Sequence, residues 1–340
     1  MPLQDSEPSS VTPQSGTKRK RTLSESSHTG EPVRSPDYWF EDGNIVLQAE
    51  NTQFRIHKGI LARHSSVFKD MVGIPQPSTS EEDLVDGCPL VRLSDAAKDW
   101  TNVLSIIYDY NAAYKNQDRL SFPLVSSMLR LGKKYEFLGL HKLALERIKG
   151  DIPDNWSALA HLLKTGHSYA GYEIDLVNLL LETETRSMIP VACFICVKTL
   201  STEELFTGTT RPKDGTVAKL SPEWIQTLVL AKEKMTIDMI KHKLNWATDQ
   251  YDLDDDDFPA ESCKKPKRCE PSRLIACQWA TEIPLPLKYM FLPLDVFEPE
   301  HCCYACNRVI DAAHRSARKF FWEELPKYFG LPGWDRLVDD

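Results

Sequence analysis

Between Asp37 and Met71 the hydrophobic period of the chain changes from two to between three and four, and that succession reads as strand, tight turn, strand and helix. Ile45, Val46 and Leu47 form a short apolar run, Glu50, Asn51 and Thr52 supply turn-forming side chains, and Phe54, Arg55 and Ile56 alternate as a strand does. The simplest reading is a β-hairpin. Beyond it, His57, Ile60, Leu61, His64, Phe68 and Met71 recur at steps of three and four, which places them on one face of a helix that packs its stripe against another element. His57 and His64 lie on that face, where a helical histidine is expected to be a satisfied core group rather than a base or a ligand.

The pattern continues. Leu90, Val91, Arg92 and Leu93 read as a third strand, Trp100, Val103, Leu104, Ile107 and Tyr108 as a helical stripe, and Leu124, Val125, Met128, Leu129, Tyr135, Leu138 and Leu140 as a closing helix pair. The segment Phe-x-x-His-Lys-x-x-Leu followed by a Ser and a Phe stands here as Phe54, His57, Lys58, Leu61, Ser65 and Phe68. These residues resemble the signature of the BTB/POZ domain, and the resemblance covers roughly Asp37 to Leu145. Within that family the chain is most similar to the fungal BTB/POZ proteins, which also end on an aromatic segment like the one from Phe321 to Trp334. Gly43 stands where the family usually carries an Asp, with Asp42 one residue earlier, and the stretch from Gly73 to Gly87 is a long surface loop.

The resemblance implies an α+β fold, a small sheet covered by helices, that binds other proteins and performs no chemistry. The domain would self-associate as a homodimer or recruit a partner, either as a substrate adaptor for a cullin-type ubiquitin ligase or as a scaffold in nuclear regulation.

Residues 1–36 are rich in Ser, Thr, Pro and charge and hold scarcely an apolar residue, so a disordered tail is expected there. Within it Lys18, Arg19, Lys20 and Arg21 form a basic run suited to a nuclear import receptor, and Lys264, Lys265, Lys267 and Arg268 form a second. Two such clusters point to the nucleus. They do not make a DNA-binding protein, because the formal net charge is -8 and no basic recognition helix is visible. No apolar run approaches the roughly 20 residues of a membrane span, and the N-terminus lacks the apolar stretch of a signal peptide. Nine cysteines without a secretion signal argue for a reducing, intracellular compartment.

Residues 153–250 read as a helical extension, with stripes at Trp156, Leu159, Leu162 and Leu163, at Leu176 to Leu181, and at Trp224, Leu228, Ala231, Met235, Met239 and Ile240. The acidic and basic stretch 251–271 reads as a linker, since like charges at that density repel; consecutive Asp residues lack the ligand spacing of a calcium loop. Residues 272–340 read as a Cys- and aromatic-rich module, with a helix from Val309 through Leu325.

Cys269, Cys277, Cys303 and Cys306 are the candidate ligands for a structural zinc, and in a third functional reading the C-terminal module that the zinc stabilises would contact nucleic acid. The second C-x-x-C, Cys193 to Cys196, lies in an apolar run from Ile189 to Val197 and reads as core. No catalytic motif is present: there is no G-x-S-x-G, no phosphate-cradling loop and no H-E-x-x-H.

Overall fold

A computed structural model describes residues 31–74, 84–109, 120–247, 259–282, 286–292 and 302–339. Its N-terminal half is built on a sheet of β1 (Val33–Trp39), β2 (Ile45–Ala49), β3 (Thr52–Ile56), β4 (Leu84–Val85) and β5 (Cys88–Leu93), in the order β1-β3-β2-β5-β4. The hairpin is there: β2 and β3 pair antiparallel with Ile45 opposite Ile56 and Leu47 opposite Phe54, and Glu50 turns the chain at φ 51°. β5 lies parallel to β2.

β1 departs from the sequence reading, which placed residues up to 36 in the tail. It runs parallel to the edge of β3, with the Val33 amide 2.7 Å from the Asn51 carbonyl. Most of its side chains are exposed, so backbone hydrogen bonds rather than an apolar pattern hold it, and periodicity carries no sign of it.

The helix expected from His57 to Met71 is two helices, α1 (Lys58–His64) and α2 (Ser66–Gly73). Ser65 between them is extended, at φ -130° and ψ 125°, and its hydroxyl oxygen accepts the Phe68 amide at 3.1 Å. A serine that caps the second helix ends the first. Leu61 and Phe68 both reach the core, while His64, expected on the packing face, is exposed in the last turn of α1.

α3 (Ala97–Tyr108), α4 (Phe122–Lys134) and α5 (Leu138–Asp151) complete the unit. Trp100, Val103 and Leu104 of α3 pack with Phe54, Ile56, Leu61, Phe68 and Phe137 in one core. Phe68 stacks on Tyr135 at 5.2 Å between centroids and meets Trp100 edge-on at 5.8 Å, the geometry in which aromatic pairs add to simple burial.

The rest is helical: α6 (Trp156–Thr165), α7 (Glu173–Glu182), α8 (Ile189–Thr199), α9 (Thr202–Thr207), a small hairpin of β6 (Thr209–Thr210) and β7 (Val217–Ala218), α10 (Pro222–Lys243), α11 (Pro266–Glu282) and α12 (Tyr304–Tyr328). Every residue of α8 from Ile189 to Val197 is buried, which makes it the central helix of a second core. Val125, Met128 and Leu129 of α4 face that second core, whereas Leu131 faces the first. One helix therefore belongs to both units. α11 begins at Pro266, inside the stretch read as a linker, and α12 extends about a turn beyond the expected helix at its N-terminal end. Among the described residues no helix is long and apolar enough to cross a membrane.

The fold is α+β, a small sheet covered by helices and followed by a helical region, as the sequence implied.

Candidate functional site

Two groups of side chains stand out, one at the N-terminus of α12 and one around the start of α1. Cys303 is the N-cap of α12 and Cys306 lies in its first turn, both directed by the helix start toward α11. Cys269 sits in the first turn of α11, and Cys263 lies just ahead of that helix. The four sulfurs lie within 4.8 Å of one another, with the Cys263 and Cys303 sulfurs 3.6 Å apart.

Each sulfur also accepts a backbone amide. The Cys303 amide donates to Cys269 Sγ at 3.2 Å. The amides of Cys306, Lys265 and Ala260 serve Cys303, Cys263 and Cys306 in turn. The amide of Cys306, at the helix start, draws the Cys303 thiol down to about 6, whereas burial pushes the Cys306 thiol up.

The sequence reading had assigned Cys269, Cys277, Cys303 and Cys306. Three of these meet, and Cys263 stands at the fourth corner. Cys277 lies eight residues beyond Cys269 on α11, a rise of about 12 Å along the helix axis, and its side chain lies outside the described residues. Cys263 was overlooked because it fell within the presumed linker. The available signal was a second cysteine pair, Cys263 and Cys269, enclosing the basic cluster. Lys264, Lys265, Lys267 and Arg268 are exposed on that short connection, and Lys18, Arg19, Lys20 and Arg21 lie outside the described residues.

The other C-x-x-C is of a different kind. Burial raises the Cys193 thiol and pushes Cys196 up to about 12, so both stay protonated within α8 and act as small apolar groups.

At the start of α1, His57 is held on every side. Its Nδ1 lies 3.1 Å from the Tyr108 hydroxyl, which also accepts the His57 amide at 3.0 Å, and its Nε2 lies 3.2 Å from Asp42. The hydrogen bond from His57 holds the Asp42 carboxyl below the usual carboxylate range. A histidine engaged at both nitrogens positions the entry to α1. Gly43 explains why no carboxylate occupies its place: a Cβ there would lie 2.9 Å from Arg55 Cγ and 3.0 Å from the Arg55 carbonyl. Phe54, Leu61, Ser65 and Phe68 are buried, and Lys58 is exposed.

The strand, hairpin and helix order around these residues agrees with a comparison against family models, in which residues 40–151 match the BTB/POZ domain. The chain carries a BTB/POZ domain. No curated protein matches the chain.

The BTB match ends at residue 151, the last residue of α5, so the shared helix α4 lies inside the domain and the helical region begins at α6. A BTB domain is a protein-interaction domain rather than a catalytic one, and it serves adaptors and scaffolds. Its exposed apolar side chains here include Val67 on α2 and Leu138 at the start of α5, 38% and 73% exposed. They flank one junction, where Ser65 bonds the Tyr135 carbonyl and Ser66 bonds the Glu136 carboxylate.

Proposed function

We propose that the protein is an adaptor whose BTB domain engages a cullin-type ubiquitin ligase scaffold, or a second copy of the chain, while the helical region and C-terminal module hold the substrate. The observation that carries this reading is the double role of α4, which contributes Leu131 to the BTB core and Val125, Met128 and Leu129 to the helical core. A partner bound at one end is then held in a fixed relation to the other, which is what a bridging protein needs.

A second reading is a nuclear regulatory scaffold. The exposed Lys264, Lys265, Lys267 and Arg268 favour it, since import requires an accessible basic run.

The test mixes purified full-length protein with purified cullin scaffolds, reads binding by calorimetry, and follows self-association by light scattering. Binding to a cullin that is lost in Val67→Arg/Leu138→Arg, with the melting temperature unchanged, supports the adaptor reading. Wild-type protein that binds no cullin and stays monomeric overturns it, and the nuclear scaffold reading then takes its place.

A further inference from the structure

Among the described residues, α11 is held by little apolar burial. Its core consists of Trp246, Ala247, Ala276, Ile310 and Ala313, with Leu274 and Ile275 of α11 left exposed. Among the described residues this cluster has five buried members, three of them alanine, a thin core for a helix of 17 residues. Small units with so thin a core are usually held by a disulfide or a metal.

The four sulfurs decide between the two. A disulfide brings sulfurs to about 2.05 Å, and Cys263 and Cys303 stand 3.6 Å apart. A tetrahedral zinc with Zn–S bonds of about 2.3 Å spaces its sulfurs about 3.8 Å apart. The spread observed, all four within 4.8 Å, brackets that value.

The surroundings suit a metal as well. Four thiolates around a divalent ion leave two negative charges, and each sulfur here accepts a backbone amide that offsets part of that charge. Cys303 and Cys306 at the start of α12 also sit at the positive end of a 25-residue helix dipole.

We propose that Cys263, Cys269, Cys303 and Cys306 bind one zinc ion, a structural site that fastens α11 and the connection ahead of it to the N-terminus of α12. Binding forms four Zn–S bonds and releases to solvent whatever protons the four thiols still carry, with no change of oxidation state. All four positions are taken by protein, so the site is closed and holds no reactive water. The ion also fixes the conformation of the basic run Lys264 to Arg268, which lies between two of its ligands.

The experiment measures metal in full-length protein purified under reducing conditions, then refills chelated protein with zinc or cobalt(II). One zinc per chain is expected, together with a thiolate-to-cobalt charge-transfer band. Both are lost in Cys263→Ser and kept in Cys277→Ser and Cys88→Ser. Chelation should open the region around α11 to protease while the hairpin of β2 and β3 and the helices α4 and α8 stay protected, a readout that stands even where Cys263→Ser fails to fold. Absence of zinc together with no cobalt uptake overturns the proposal. So does equal loading of Cys263→Ser and wild type, iron in place of zinc, or a protease pattern that chelation leaves unchanged.

Discussion

Ser65 donates its hydroxyl to the Tyr135 carbonyl at 2.5 Å while accepting the Phe68 amide, so one buried side chain caps α2 and ties it to the turn between α4 and α5. Ser65→Ala removes the cap and leaves that carbonyl without its donor. The loss expected is about 1–3 kcal/mol of folding stability, measured by denaturant titration. A midpoint equal to that of the wild type would show that the junction contributes nothing.

Phe54 is fully buried in the BTB core, opposite Leu47 across the hairpin. Phe54→Ala creates a cavity beneath the sheet and should cost about 3–5 kcal/mol. Thermal unfolding followed by circular dichroism checks this.

Gly208 ends α9 at φ +91°, and a Cβ there would lie 2.2 Å from the Ala218 carbonyl oxygen of the facing strand. Gly208→Ala therefore meets both an unfavourable backbone conformation and a backbone clash. A loss of at least about 1–3 kcal/mol is expected from the strain alone, and thermal unfolding reads it. Gly150, with nothing near its Cβ position, is the control whose alanine variant should fold normally.

His314 on α12 gives stability a pH dependence. Burial, with Lys243 and Arg318 adding to it, lowers its folded pKa from 6.5 to about 3. In the folded chain the ring stays neutral, while the unfolded chain takes up a proton as the pH falls below 6.5. Stability from this group is thus complete above pH 6.5 and is lost as the pH drops from 6.5 toward about 3. Urea titrations at about pH 7.5 and about pH 5 should show the drop, and His314→Leu should flatten it. An unchanged slope in that variant would locate the dependence elsewhere.

Most of the BTB unit was legible in the chain, because its hairpin, its third strand and the stripe of α3 all write their burial into local period. The strand β1 was not, since its partner is an edge reached through backbone amides that every residue carries. The break at Ser65 was hidden by a hydrophobic stripe that runs across it from Leu61 to Phe68 in phase. A cap depends on backbone angles at one residue, which a stripe does not report.

By itself, then, the sequence determined the hairpin, the third strand, the stripe of α3 and the family signature from Phe54 to Phe68, because each writes its burial into a local period. It also determined that Cys193 and Cys196 belong to a core, because an apolar run surrounds them. Tertiary structure alone decided what comes together across distance. It placed Cys263 beside Cys303, 40 residues away, and made α4 a wall of two cores at once. Ligand sets of this kind depend on how separate helices pack, and spacing along the chain constrains only pairs that share a turn or a helix start.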